Sequence, residues 1–132
     1  MDASSPPASS PESLLVALTP TEWRDFLPEP MASELKTLAR RTQVIDPTTL
    51  APEAFVQALA ELNPEVLIAA WKTPPLPATL PPRLRYVCYL CGSVRRLVTR
   101  RHLENGLHVT NWGSSISRVV AEGALFHVLS CL

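Results

Sequence analysis

Two turns and one polar loop hold the groups best suited to bind a small ligand. Gly92-Ser93-Val94 and Asn111-Trp112-Gly113 each follow a short apolar run, and Lys72-Thr73 follows another. Consecutive N–H groups in a turn make an anion-binding concavity. Lys72 reads either as a ligand contact or as a solvated loop lysine. Trp71 and Trp112 either wall a pocket or serve as core aromatics. Cys88-Tyr89-Leu90-Cys91 is a C-x-x-C, but a redox pair opens a helix, whose dipole lowers the thiol pKa. Cys88 falls inside a predicted strand, so the pair reads as structural, and no further ligands at zinc spacing accompany it. His102 is expected exposed on a polar helix. His108, in a strand, and His127, on an apolar helix, read as satisfied core or interface histidines. No Ser-His-Asp arrangement emerges, so no catalytic residue and no metal ligand is assigned.

Alternating apolar runs and helical stretches must position these turns. Strands are expected at Ser13–Leu18, Thr42–Asp46, Val66–Trp71, Arg85–Leu90 and Leu107–Thr110. The continuous apolar runs fit strands buried on both faces of a parallel sheet. Helices are expected from about Thr21, with Thr19 or Thr21 as cap, over Met31–Ala39, and over Ala51–Leu62, where Phe55, Leu59 and Leu62 form one stripe. A further helix is expected over Val94–Asn105, closed by Asn105-Gly106. The last begins under a Ser114 or Ser115 cap and runs to Leu132. The class is α/β, a flavodoxin-like three-layer parallel sheet of five strands in the order 2-1-3-4-5. The turns lie past the carboxyl ends of strands, where open α/β sheets bind ligands.

At 132 residues and 46% apolar, the chain suits one domain with a core. Twelve basic residues balance twelve acidic ones, so nothing points to nucleic acid or a membrane surface. Arg95, Arg96, Arg100 and Arg101 read as a solvated helix face. No stretch is long and apolar enough to span a bilayer. Residues 1–12 are expected to be a disordered leader rather than a signal peptide, residues 13–113 the flavodoxin-like domain, and residues 114–132 a crossing helix. Three cysteines without a framework spacing fit a reducing, cytoplasmic setting. The last helix is apolar nearly all round from Val119 onward, so it is expected to be buried on more than one side, by more chain or by a partner.

Gly92-Ser-Val-Arg-Arg-Leu-Val, Asn105-Gly106, Val109-Thr-Asn111 and Val120-Ala-Glu122 with Ala124-Leu125 together resemble the D-isomer-specific 2-hydroxyacid dehydrogenases, in the N-terminal part of their catalytic domain. The likeness spans about Val66 to Leu132; before that it is topological. It implies NAD- or NADP-dependent interconversion of small 2-hydroxy and 2-keto acids. It places Gly92, Ser93 and Val94 on the substrate carboxylate, Lys72 and Thr73 near the substrate, and Ser117 near the cofactor. It also implies a homodimer near the crossing helix. Val94 departs from the family's commoner Gly-x-Gly. With Gly92, Gly106, Gly113 and Gly123 as its only glycines, the chain lacks the Gly-x-Gly-x-x-Gly fingerprint. The family's catalytic Arg, Glu and His lie outside the matched region. A substrate-domain fragment, inactive without its nucleotide-binding domain, is therefore expected. The alternative is a non-catalytic flavodoxin-like binding or interaction module, using the same loops for a small anion or the apolar helix for a partner.

Overall fold

The computed structural model describes residues 10–131; most of the expected leader lies outside them. Five strands form one all-parallel sheet: β1 (Ser13–Ala17), β2 (Arg41–Ile45), β3 (Val66–Ala69), β4 (Tyr86–Tyr89) and β5 (His108–Thr110). The order is β2-β1-β3-β4-β5, the flavodoxin-like order that the alternating pattern predicts. β1 and β3 sit inside the sheet, which is why they read as continuous apolar runs rather than alternating ones. Every residue of β1 is buried, whereas β2 is an edge strand and half open.

Helices α1 (Pro20–Phe26) and α2 (Met31–Leu35) fill the crossover from β1 to β2, α3 (Pro52–Leu62) lies in that from β2 to β3 and α4 (Arg100–Glu104) in that from β4 to β5, while residues 70–85 join β3 to β4 without a helix. Right-handed crossovers put α1 and α2 on one face and α3 and α4 on the other. Pro52 opens α3 with its missing N–H at a position that needs none. Asn63 closes α3 in the left-handed region, at φ 42°, which asparagine tolerates. The stripe on α3 buries Phe55 and Leu59 completely against Leu15, Leu67 and the rest of one core, worth roughly 2–3 kcal/mol per side chain. Leu62 is only half-buried at the helix end.

Several expectations change. The helix expected over Val94–Asn105 is only the five residues of α4. A turn precedes it, with the N–H groups of Leu97 and Val98 both donating to the Val94 carbonyl. The Leu97 carbonyl accepts from Leu76 N–H at 2.9 Å, so a tertiary bond takes the acceptor that a longer helix needs. α2 stops at Leu35 instead of Ala39. His102 is buried, at 1% exposure, rather than exposed. Its Nε2 lies 3.0 Å from the Pro77 carbonyl and its Nδ1 accepts from Thr99 N–H. A carbonyl only accepts and an N–H only donates, so these partners select the Nε2–H tautomer. His108 and His127, in contrast, are exposed.

The last helix, α5 (Ser117–Ser130), has no side-chain cap. Ser115 instead donates its hydroxyl to the Trp112 carbonyl. None of the residues of α5 is buried, and Val119, Phe126 and Val128 are each more than 60% exposed. The burial that its composition demands is not supplied by the described residues. The sheet has a matching bare area. Along β4 and β5, Val87 and Tyr89 turn inward and are buried. Tyr86 and Cys88, which alternate with them, are half-buried, and His108 and Thr110 beside them are exposed. No described helix is long and apolar enough to cross a membrane.

Candidate functional site at the carboxyl edge of the sheet

In the order 2-1-3-4-5 the topological switch lies between β1 and β3, and the crevice outside their carboxyl ends is the favoured ligand position. Three loops meet there. Thr19 caps α1 and forms a capping box with Glu22, each side chain bonding the other's backbone N–H. Glu22 is buried at 5% exposure. Its Oε2 accepts from Thr19 N–H at 3.0 Å, and its Oε1 accepts from Lys72 N–H at 2.9 Å. One carboxylate therefore joins the loop after β1 to the loop after β3. Glu22 was not singled out from the sequence, although the Thr19-x-x-Glu22 spacing carries the signal.

Thr73 makes a second tie. Its hydroxyl donates to the Ala17 carbonyl at 2.9 Å and accepts from Ala70 N–H at 3.0 Å. Both bonds go to strand ends, so the hydroxyl holds the loop rather than facing outward. The Lys72 side chain is exposed. Lys72 and Thr73 line a hollow of about 230 Å³ with Trp71, Pro74, Pro75, Tyr89, Arg96 and Leu97. Arg96, read as part of a solvated helix face, stands in the turn before α4 and on this hollow. Neither Lys72 nor Arg96 enters an ion pair among the described residues. Larger hollows exist at the amino edge of the sheet, one of them lined by Arg85, Arg101 and His102. They lie away from the switch point, and the partners of His102 there are already satisfied.

Gly92, Ser93 and Val94 belong to the same loop as Arg96 but do not line the hollow. Asn111 Nδ2 donates to the Gly92 carbonyl, and Trp112 N–H donates to the Cys91 carbonyl at 3.1 Å. Asn111 Oδ1 also accepts from Gly113 N–H, where the backbone reaches φ +56°, a conformation that glycine adopts at little cost. The Cys91 and Gly92 carbonyls are thus committed to the loop after β5. The N–H groups of Gly92, Ser93 and Val94 have no acceptor among the described residues. Ser117 opens α5, exposed and away from the hollow.

Three aromatics converge on this edge. Trp71 and Phe26 have ring centroids 5.2 Å apart, Phe26 and Trp112 5.7 Å, and Trp71 and Trp112 6.3 Å, all edge to face. Trp71 is nonetheless 59% exposed; it is a wall and not a core residue. Beneath it Cys91 is fully buried. Burial pushes its thiol up to about 11, against the pull of the Trp71 N–H. Such a thiol is not a nucleophile at neutral pH, which agrees with a structural role for Cys91. Burial likewise raises the Tyr89 phenol. Among the described residues no group of three or more His, Cys, Asp or Glu is placed to hold a metal ion.

No protein-family model, no curated protein and no solved structure matches this chain.

Proposed function

We propose that this chain is the substrate domain of an NAD(P)-dependent D-2-hydroxyacid dehydrogenase, working in the cytoplasm with a nucleotide-binding domain that packs on α5. The observation that carries this reading is a pair of cations, Lys72 and Arg96, that enter no ion pair among the described residues and line a hollow at the carboxyl ends of β3 and β4, beside the switch point. The N–H groups of the Gly92 turn, without an acceptor among the described residues, stand in the same loop as Arg96, just outside the lining of the hollow. Cations and oriented N–H groups are what a small carboxylate needs. The bare apolar surface of α5 and the bare face of β4 and β5 add support, since both suit a further packed domain.

The residues present do not fit a dinucleotide. The turn after β1 reads Leu18-Thr19-Pro20; its Thr19 N–H is taken by the Glu22 carboxylate, and the Glu22 N–H by the Thr19 hydroxyl. A pyrophosphate there would meet a negative charge instead of a glycine-lined helix start. No catalytic step is therefore assigned to this chain. Its own residues bind and orient the 2-hydroxy or 2-keto acid; the hydride acceptor and the general base belong to the partner domain.

The test has two arms. The 132-residue chain, incubated with NADH or NADPH and glyoxylate or hydroxypyruvate, is expected to show no turnover. The longest open reading frame containing this sequence is expected to encode a Gly-x-Gly-x-x-Gly after a strand and a later His, and its product to oxidise NADH or NADPH with a 2-keto acid. A stop codon at Leu132, or an inactive long product, would overturn the proposal and favour the non-catalytic binding module.

A further inference from the structure

Resting on that reading, the geometry points to a narrower substrate class: we infer that the site takes 2-hydroxy or 2-keto acids bearing an aromatic substituent. Trp71 belongs to two structures at once. It lines the hollow with Lys72 and Arg96, and its ring is braced edge to face by Phe26 and Trp112. An indole left 59% exposed in the free chain is costly unless something covers it. One that is held rigid by two other rings loses little freedom when a ligand does so.

The dimensions agree. The hollow, at about 230 Å³, is smaller than the roughly 300–1,000 Å³ of drug-sized pockets. It suits an acid of about a dozen heavy atoms and leaves a two- or three-carbon acid loosely held. The charge pattern fixes the orientation. Lys72 and Arg96 offer two positive charges that enter no ion pair among the described residues, while Trp71, Pro74, Pro75 and Leu97 supply an apolar side to a lining that Thr73 and Tyr89 complete. A carboxylate at the cations and a ring against Trp71 satisfy both halves. An aromatic pair contributes beyond the area that it buries, so a preference of about tenfold over a methyl substituent is expected.

The test uses the whole chain and its three indole N–H signals, from Trp23, Trp71 and Trp112, followed by ¹⁵N–¹H NMR during titration. The probes are D-3-phenyllactate, D-lactate and 2-phenylethanol. D-3-Phenyllactate is expected to shift the Trp71 signal saturably, with a Kd at least about tenfold below that of D-lactate. In Trp71→Ala the ratio of the two affinities is expected to fall close to one. Trp112→Leu, which removes only a brace, should lower the ratio partway, and it keeps the test decisive if Trp71→Ala fails to fold. Equal affinity for both acids would overturn this inference and leave the proposed function standing. 2-Phenylethanol binding as tightly as phenyllactate would overturn the carboxylate reading beneath it. Failure of both acids to bind would overturn the two together.

Discussion

Glu22→Gln is a sharp perturbation of the switch point. The change keeps volume and shape but replaces an acceptor-only group with one oxygen and one NH₂. The wild-type carboxylate accepts from Thr19 N–H, from the Thr19 hydroxyl at 3.2 Å, and from Lys72 N–H. These donors converge from two loops, so whichever way the amide turns, its NH₂ faces a backbone N–H. With the NH₂ toward Thr19 the capping box is lost, at about 1 kcal/mol. With the NH₂ toward Lys72 a hydrogen bond to a charged acceptor is lost, at about 1.5–3 kcal/mol. Burial at 5% exposure keeps water from replacing either. A destabilisation of about 2 kcal/mol follows, read as a lower midpoint in urea with unchanged slope and a melting point lower by roughly 8 °C. Amide exchange adds a local readout: the Lys72 N–H should lose protection in the variant while the amides of β1 change only with global stability. A Glu22→Gln variant within 0.5 kcal/mol of wild type, with Lys72 still protected, would refute the claim that this carboxylate joins the two loops.

Three further outcomes follow from the same structure. Thr73→Val should cost about 2 kcal/mol, because it strands the buried Ala17 carbonyl and Ala70 N–H; Thr73→Ser should recover most of that in urea denaturation. The Cys91 thiol, raised from 9.0 to about 11 by burial, is protonated in the folded state where the unfolded thiol has already ionised. Its contribution is therefore intact below pH 9 and lost as pH rises from 9 toward 11. It amounts to on the order of 2 kcal/mol, and Cys91→Ala should remove that part of the alkaline decline in a pH series of urea melts. Deleting residues 114–132 should leave the melting temperature within about 2 °C, since no residue of α5 is buried. A helix of 14 residues without packing is marginal in water, so its amides should exchange faster than those of α1 and α3. Protection of α5 in a dilute monomer would contradict its exposed position.

The fold class is legible along the chain. Five apolar runs broken by helical patterns specify a parallel sheet, because strands buried on both faces need apolar residues at every position, as in Leu14-Leu15-Val16-Ala17. Thr19, Pro52 and the Asn105-Gly106 pair marked helix ends through local backbone chemistry, which needs no tertiary information. The composition of α5 announced an unmet need for burial, and the structure leaves that need unmet. Which side chains share a space depends instead on contacts made by the folded sheet. His102 reads as solvated from its charged neighbours, yet it is buried because Pro77, 25 residues away, supplies a carbonyl to it. Arg96 reads as one of four helix arginines until the Leu76–Leu97 hydrogen bond shortens the helix and leaves Arg96 in a turn beside Lys72. Trp71, which the sequence leaves open as pocket wall or core aromatic, is a wall because Phe26 and Trp112 meet it at the sheet edge. Periodicity and capping act within a few residues and are legible along the chain. The candidate site is made by contacts between loops far apart in sequence, and those exist only once the sheet has brought the strand ends together.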